Sequence, residues 1–298
     1  MTRFPHDQFA KDYLKELLTP LGEVETSRDV AGEVREIDVW FTPAPQSPGD
    51  AQGLGLLGRF AASPSIFEPF RNAVTPSQIR SCLSKLFDVQ ADLERQAKRE
   101  KTSVQEAALP RLWILSPTAS VPLLNGFKAT LDEDNWSRGV YFLGDSFRTA
   151  LVAIHQLPRT PDTLWLRILG RGRVQQLAVD ELEALPVKNP FRSNALELLY
   201  SLRINLEASQ NLDEEDRELI MQLSPLYLQR LEEATQQGRR AERRATIENL
   251  LRVRFGSVDD TLAAIIPQLL ELPPEEFTRE LLQLSREELL ARFGEPNR

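Results

Sequence analysis

Val34-Arg35-Glu36-Ile37-Asp38-Val39-Trp40-Phe41 and, beyond a loop, Ser65-Ile66-Phe67-Glu68-Pro69-Phe70-Arg71-Asn72 each set a carboxylate among apolar, β-forming residues. An acid in an otherwise buried strand carries a desolvation cost unless something pairs with it, and a divalent cation held between two strands is one such partner. Asp38 and Glu68 are therefore the first candidates for a metal-centred site. The competing reading is two acids that face solvent from half-exposed strands.

Outward from these stretches the pattern alternates helices and strands. Phe9, Tyr13, Leu14 and Leu17 recur at helical spacing, which predicts an amphipathic helix over 5–18 closed by Pro20-Leu21-Gly22. Two strands are predicted over 23–30 and 33–41, joined by a tight turn at Ala31-Gly32, and this places Asp38 late on the second. The proline- and glycine-rich stretch 43–53 reads as a loop, 54–62 as a short helix and 66–70 as a third strand. Thr75, Pro76 and Gln78 form a helix-start signal with a capping box, and Ile79, Leu83, Leu86, Val89 and Leu93 mark the buried stripe of the helix that follows.

Short apolar strands are expected over 112–115, 140–143 and 151–154. Helices dominate from Pro161, roughly over 161–169, 173–185, 190–208 and a long charged 213–245. The expected division is a core over 1–157, a helical extension over 158–246 and a small helical module over 247–298, too small for a large core and suited to docking or self-association.

Composition limits the chemistry. With a single cysteine, Cys82, and two histidines, His6 and His155, the 298-residue chain builds neither a multi-cysteine nor a multi-histidine metal centre, so a metal site must use oxygen ligands. Cys82 sits in a helical pattern and reads as a small core residue. A net charge of −8 argues against a protein that coats nucleic acid over its whole surface but leaves room for a local basic face. Arg159, Arg167, Arg171 and Arg173 form one such grouping. Arg239, Arg240, Arg243, Arg244, Arg252 and Arg254 form another, interspersed with glutamates as in a solvated, ion-paired helix face. No apolar run is long enough to span a membrane, and residues 1–10 lack the order of a secretory signal, so a cytoplasmic protein is expected. Gly53-Leu54-Gly55-Leu56-Leu57-Gly58 matches a dinucleotide-binding string, but a proline-rich loop precedes it where a strand is required.

The order helix, two-stranded hairpin, third strand, long helix, fourth strand, with acids on the second and third strands, resembles the PD-(D/E)XK nuclease core. More narrowly, most of the chain is similar to Rpn-type recombination-promoting nucleases and transposases in the divergent form common in cyanobacteria. The resemblance implies an α/β fold, a restriction-endonuclease-like mixed sheet of five or six strands flanked by helices. It also implies a metal-dependent DNA endonuclease of recombination or mobile elements, with Asp38 and Glu68 holding Mg2+ or Mn2+. The chain departs from the motif at Phe70, where that pattern has lysine, and Pro69 precedes it. A phenyl ring cannot position water or balance charge on phosphorus. Arg71 or Arg80 is the expected replacement cation, while Lys85 reads as an ordinary exposed helix lysine. Glu36, on the strand face of Asp38, and Asp12 and Glu16, on the first helix, are further acids within reach of such a site. The alternative is a non-catalytic nuclease-fold scaffold, or an adaptor that acts through its charged C-terminal helices.

Overall fold

The computed structural model describes residues 5–30, 35–44, 48–209 and 211–294, so the predicted turn at 31–32 lies outside the described residues. The chain divides into two compact units, Met1–Ser224 and Pro225–Arg298. None of the described helices is long and apolar enough to cross a membrane.

The first unit is α/β. Helix α1 (Pro5–Leu18) leads into strands β1 (Gly22–Val30) and β2 (Arg35–Pro43), then the short helices α2 (Pro48–Gly53) and α3 (Leu56–Phe60). Next come β3 (Ser65–Pro69), the long α4 (Pro76–Arg99), β4 (Arg111–Ser116) and α5 (Val121–Gly126). Strands β5 (Thr130–Leu131), β6 (Val140–Phe142) and β7 (Thr149–Ala153) complete a sheet ordered β1-β2-β3-β4-β7-β6-β5. Its three central strands are parallel, their buried residues apolar but for Ser65, Glu68, Ser116 and Thr149, and the flanking pairs are antiparallel. Helices α6 (Leu164–Arg167), α7 (Arg173–Glu183) and α8 (Arg192–Glu207) follow, and α9 (Glu214–Phe255) begins in this unit.

The mixed sheet flanked by helices matches the expected class, with one strand more than foreseen. That strand, β5, is two exposed residues, Thr130 and Leu131, too short for any alternating pattern to show. Pro48–Gly53, expected as loop, is helical; Pro48 occupies the first position, where its missing N–H costs nothing. Thr75 caps α4 through a reciprocal box, its Oγ1 accepting from the Gln78 amide at 3.3 Å while its own amide donates to Gln78 Oε1 at 2.9 Å. Ile79, Leu83 and Leu86 of α4 pack with Ile66, Leu112, Ile114 and Leu151 of the central strands.

Pro69 fits its central strand without loss. Phe70 donates its amide to Leu115 O at 2.8 Å, so even-numbered amides of β3 point to β4 and position 69 faces β2. Pairing with β2 has already ended at Val39–Phe67, so no ladder donor is missing.

The second unit holds the rest of α9 with α10 (Asp260–Glu271), α11 (Pro274–Gln283) and α12 (Arg286–Phe293). It has a core of its own: eleven buried apolar residues, from Ile247 and Leu251 on α9 to Leu289 and Phe293 on α12. Two of the arginines expected on a solvated face instead close helix ends. Arg243 Nη1 donates to Leu270 O at 3.0 Å and Leu272 O at 3.4 Å, and Arg254 donates to the carbonyls of Leu281 and Leu284. Arg244 makes the ordinary surface pair, with Glu248 at 2.8 Å.

Candidate active site

Asp38 and Glu68 meet because of strand register. The pairs Trp40–Ile66 and Val39–Phe67, continued by one residue, set Asp38 opposite Glu68 on one face of the sheet. The backbone is distorted there: β1 and β2 pair at Thr26–Val39 and Arg28–Ile37 but skip the position between, where Ser27 opposes Asp38 with φ of 60°. A serine in the left-handed region is uncommon, and such strain collects where a strand re-aims a side chain.

Each acid has its own lysine. Lys11 of α1 places Nζ 3.0 Å from Asp38 Oδ1, 3.2 Å from Asp7 Oδ2 and 3.7 Å from Glu36 Oε1. Lys85 of α4 grips Glu68 with both carboxylate oxygens, at 2.9 and 2.8 Å. Glu68 is 2% exposed, and the Lys85 side chain 14%. The lysine expected to be an ordinary surface residue is therefore the cation held against Glu68. Cys82, one turn before it, lies with Sγ 3.8 Å from Glu68 Oε2; burial and the Glu68 charge raise its thiol well above the ordinary range, which keeps it protonated and inert.

Neither expected cation pairs with Asp38 or Glu68 among the described residues. Arg71 turns to Asp216, Nη2 to Oδ1 at 2.5 Å, and Arg80 is exposed on α4 without an ion pair to Asp38 or Glu68 among the described residues. Glu36 joins the site through Lys11. Asp12 accepts from Gln8 at 2.9 Å and Glu16 from Asn194, so the described contacts do not bring them to the other acids. Three of the four arginines grouped at 159–173 are spent internally, Arg159 and Arg167 on Glu181 and Arg171 on Asp213 and Glu215, while Arg173 is exposed.

Burial pushes the Glu68 carboxyl up to about 7; the Asp38 charge adds to this, and Lys85 pulls the other way. Burial also raises Asp38, against Lys11 and Lys85. For both lysines burial works downward, yet their carboxylate partners win and keep the ammonium groups protonated above their ordinary value. Burial thus favours the protonated form of both acids even with the lysines present.

These groups open into a cavity of about 720 Å3 that also reaches Pro69, Phe70, Gln78, His6 and Asp216. Its lining carries four carboxylates, Asp7, Asp38, Glu68 and Asp216, against the cations Arg71 and Lys85. Two carboxylates on adjacent strands, with an excess of negative charge around them, suit a hard divalent cation that completes its shell with water and substrate oxygens. Asp38 and Glu68 are the residues that could hold Mg2+ or Mn2+; no group of three or more His, Cys, Asp or Glu side chains able to hold a metal ion occurs among the described residues.

What the linear sequence hid was the direction of α4. Gln78, Cys82 and Lys85 follow each other along one flank of the buried stripe, and the Thr75 cap fixes that flank over the end of β3. The helix start and stripe were the available signal. No family model, curated protein or solved structure matches the chain.

Proposed function

We propose that the chain is a metal-dependent phosphodiesterase acting on DNA, of the PD-(D/E)XK type, with Asp38 and Glu68 as its acids and Lys85 as its basic group. The observation that carries this reading is the two-oxygen contact of Lys85 with buried Glu68, opposite Asp38 in a cavity open to a ligand. The lysine missing from the strand at Phe70 is supplied by the next helix.

Asp38 and Glu68 would hold Mg2+ or Mn2+, which when bound neutralises phosphate charge and makes water a better nucleophile. Lys85 holds a positive charge beside the reacting phosphorus, where the non-bridging oxygens gain charge during attack. Its pairing with Glu68 fixes the ammonium position before substrate arrives. Lys11 orients Asp38 from the other side. Recombination or element mobility is the setting in which the resemblance puts such cleavage.

A second reading rests on the same contacts. Each acid is already matched by a lysine, as in a structural ion-pair cluster of a non-catalytic nuclease-fold scaffold. Cleavage of supercoiled plasmid and of single-stranded DNA in Mg2+ or Mn2+ separates the two. Metal-dependent cleavage lost in Asp38→Asn and Glu68→Gln is expected. A folded wild-type chain that neither cleaves nor melts at a higher temperature with metal contradicts the hydrolytic reading.

A further inference from the structure

The chamber around Asp38, Glu68 and Lys85 limits what can reach them. Its volume of about 720 Å3 is that of a sphere about 11 Å across, within the range that encloses one small ligand. That space matches one nucleotide unit and is smaller than the full width of a B-form duplex, whose major groove alone is about 12 Å wide. The wall that includes Leu206, Ser209, Asn211 and Asp216 is tied down. Asp216 Oδ1 takes Arg71 Nη2 at 2.5 Å and His6 Nε2 at 2.8 Å, joining the first turn of α9 to the exit of β3 and the first turn of α1. Arg171 adds bonds to Asp213 and Asn72. Parting these groups leaves partly buried charges uncompensated, which holds this wall of the chamber in place.

Phe70 is the second observation. It stands where the nuclease pattern has lysine, lines the chamber with Glu68 and packs, partly buried, against the core. A phenyl group handles no protons, but it offers a flat apolar face, and every base has a face to stack on it. Gln78 and Gln175 bring amides to the same lining. Each has one end committed to the protein, Gln78 Oε1 to the Thr75 amide and Gln175 Nε2 to Ile168 O.

We propose that the chamber takes a single unpaired nucleotide of a DNA strand, stacked on Phe70 with its phosphate toward Asp38, Glu68 and Lys85. The protein then acts on single-stranded or frayed DNA in preference to duplex. The fate of the phosphate rests on the hydrolytic reading above; the base contact does not.

Fluorescence anisotropy of a labelled oligothymidylate, alone and annealed to its complement, tests this with the full chain in Ca2+ at low ionic strength, the DNA checked by gel to be uncut, so that binding is read apart from turnover. The single strand is expected to bind at least tenfold tighter than the duplex. Phe70→Leu should weaken that binding by about tenfold, the worth of one base–aromatic stack, while Phe70→Tyr stays within about twofold of wild type. Thermal unfolding of both variants confirms that they are folded. Equal or tighter binding of duplex, no binding of the single strand, or wild-type binding by folded Phe70→Leu would overturn the proposal. Metal-dependent cleavage of duplex interiors alongside equal binding discards the single-nucleotide chamber and leaves the hydrolytic reading standing. Single-strand preference without cleavage in Mg2+ or Mn2+ does the reverse.

Discussion

Lys85 Nζ stands 2.9 Å from Oε1 and 2.8 Å from Oε2 of Glu68, a residue 17 positions earlier in the chain and 2% exposed. Removing one partner of a buried pair costs far more than the pair contributes, because the remaining charge is left without compensation. Lys85→Met is expected to destabilise the chain by roughly 3 kcal/mol at pH 8. The double variant Lys85→Met/Glu68→Gln should recover more than half of that loss. Urea unfolding of the two variants measures both; a double variant no more stable than the single one would show that the Glu68 charge is not the source of the cost.

The pH dependence of stability carries two opposed contributions. Burial and the Arg71 charge lower His6 from 6.5 to about 4, against the pull of Asp216 and Asp213. A depressed histidine stabilises the fold fully above pH 6.5, and that contribution is lost as pH falls through 4; at about 1.4 kcal/mol per unit it amounts to roughly 3 kcal/mol. Glu68 runs the other way: raised from 4.5 to about 7, it contributes stability below pH 4.5 that is lost as pH rises through 7. Unfolding free energies of wild type, His6→Gln and Glu68→Gln measured across pH 4 to 8 should therefore diverge in opposite directions. Parallel curves would contradict both burial effects.

In the second unit, neighbouring arginines on one helix should behave differently. Arg243 closes the end of α10 through Leu270 O and Leu272 O, whereas Arg244 makes an exposed pair with Glu248. Arg243→Met is expected to lower the unfolding free energy of this unit by about 1 kcal/mol, and Arg244→Met by less than about 0.5 kcal/mol. Hydrogen exchange at the amides of α10 resolves the difference. Equal effects would remove the capping role.

Much of this arrangement was legible from residue pattern. The alternation around Asp38, the apolar run 112–115 and the Thr75 capping box each announce a local structure that forms for local reasons. The pairing of Asp38 with Glu68 needed only their strands to be neighbours. Lys85 was missed because spacing alone assigned it to an ordinary helix surface, while its environment is set by how α4 lies over β3. The pairing of Arg71 was hidden for a related reason: its partner Asp216 lies 145 residues away, on a helix whose own pattern gives no hint of where its first turn docks. The chamber itself is a tertiary object. Residues from α1, β3, α4 and the 206–216 region line it, and no window of sequence contains them together.

The most direct test of Lys85 as the basic group of the site is single-turnover cleavage of DNA in Mg2+ or Mn2+ by wild type, Lys85→Met, Arg80→Met and Asp38→Asn, each first shown to be folded. Lys85→Met and Asp38→Asn should lose at least about a hundredfold in rate, the lower end of what one positioned charge supplies, while Arg80→Met cleaves like wild type. Full activity in a folded Lys85→Met, or loss in Arg80→Met equal to that in Asp38→Asn, would contradict it.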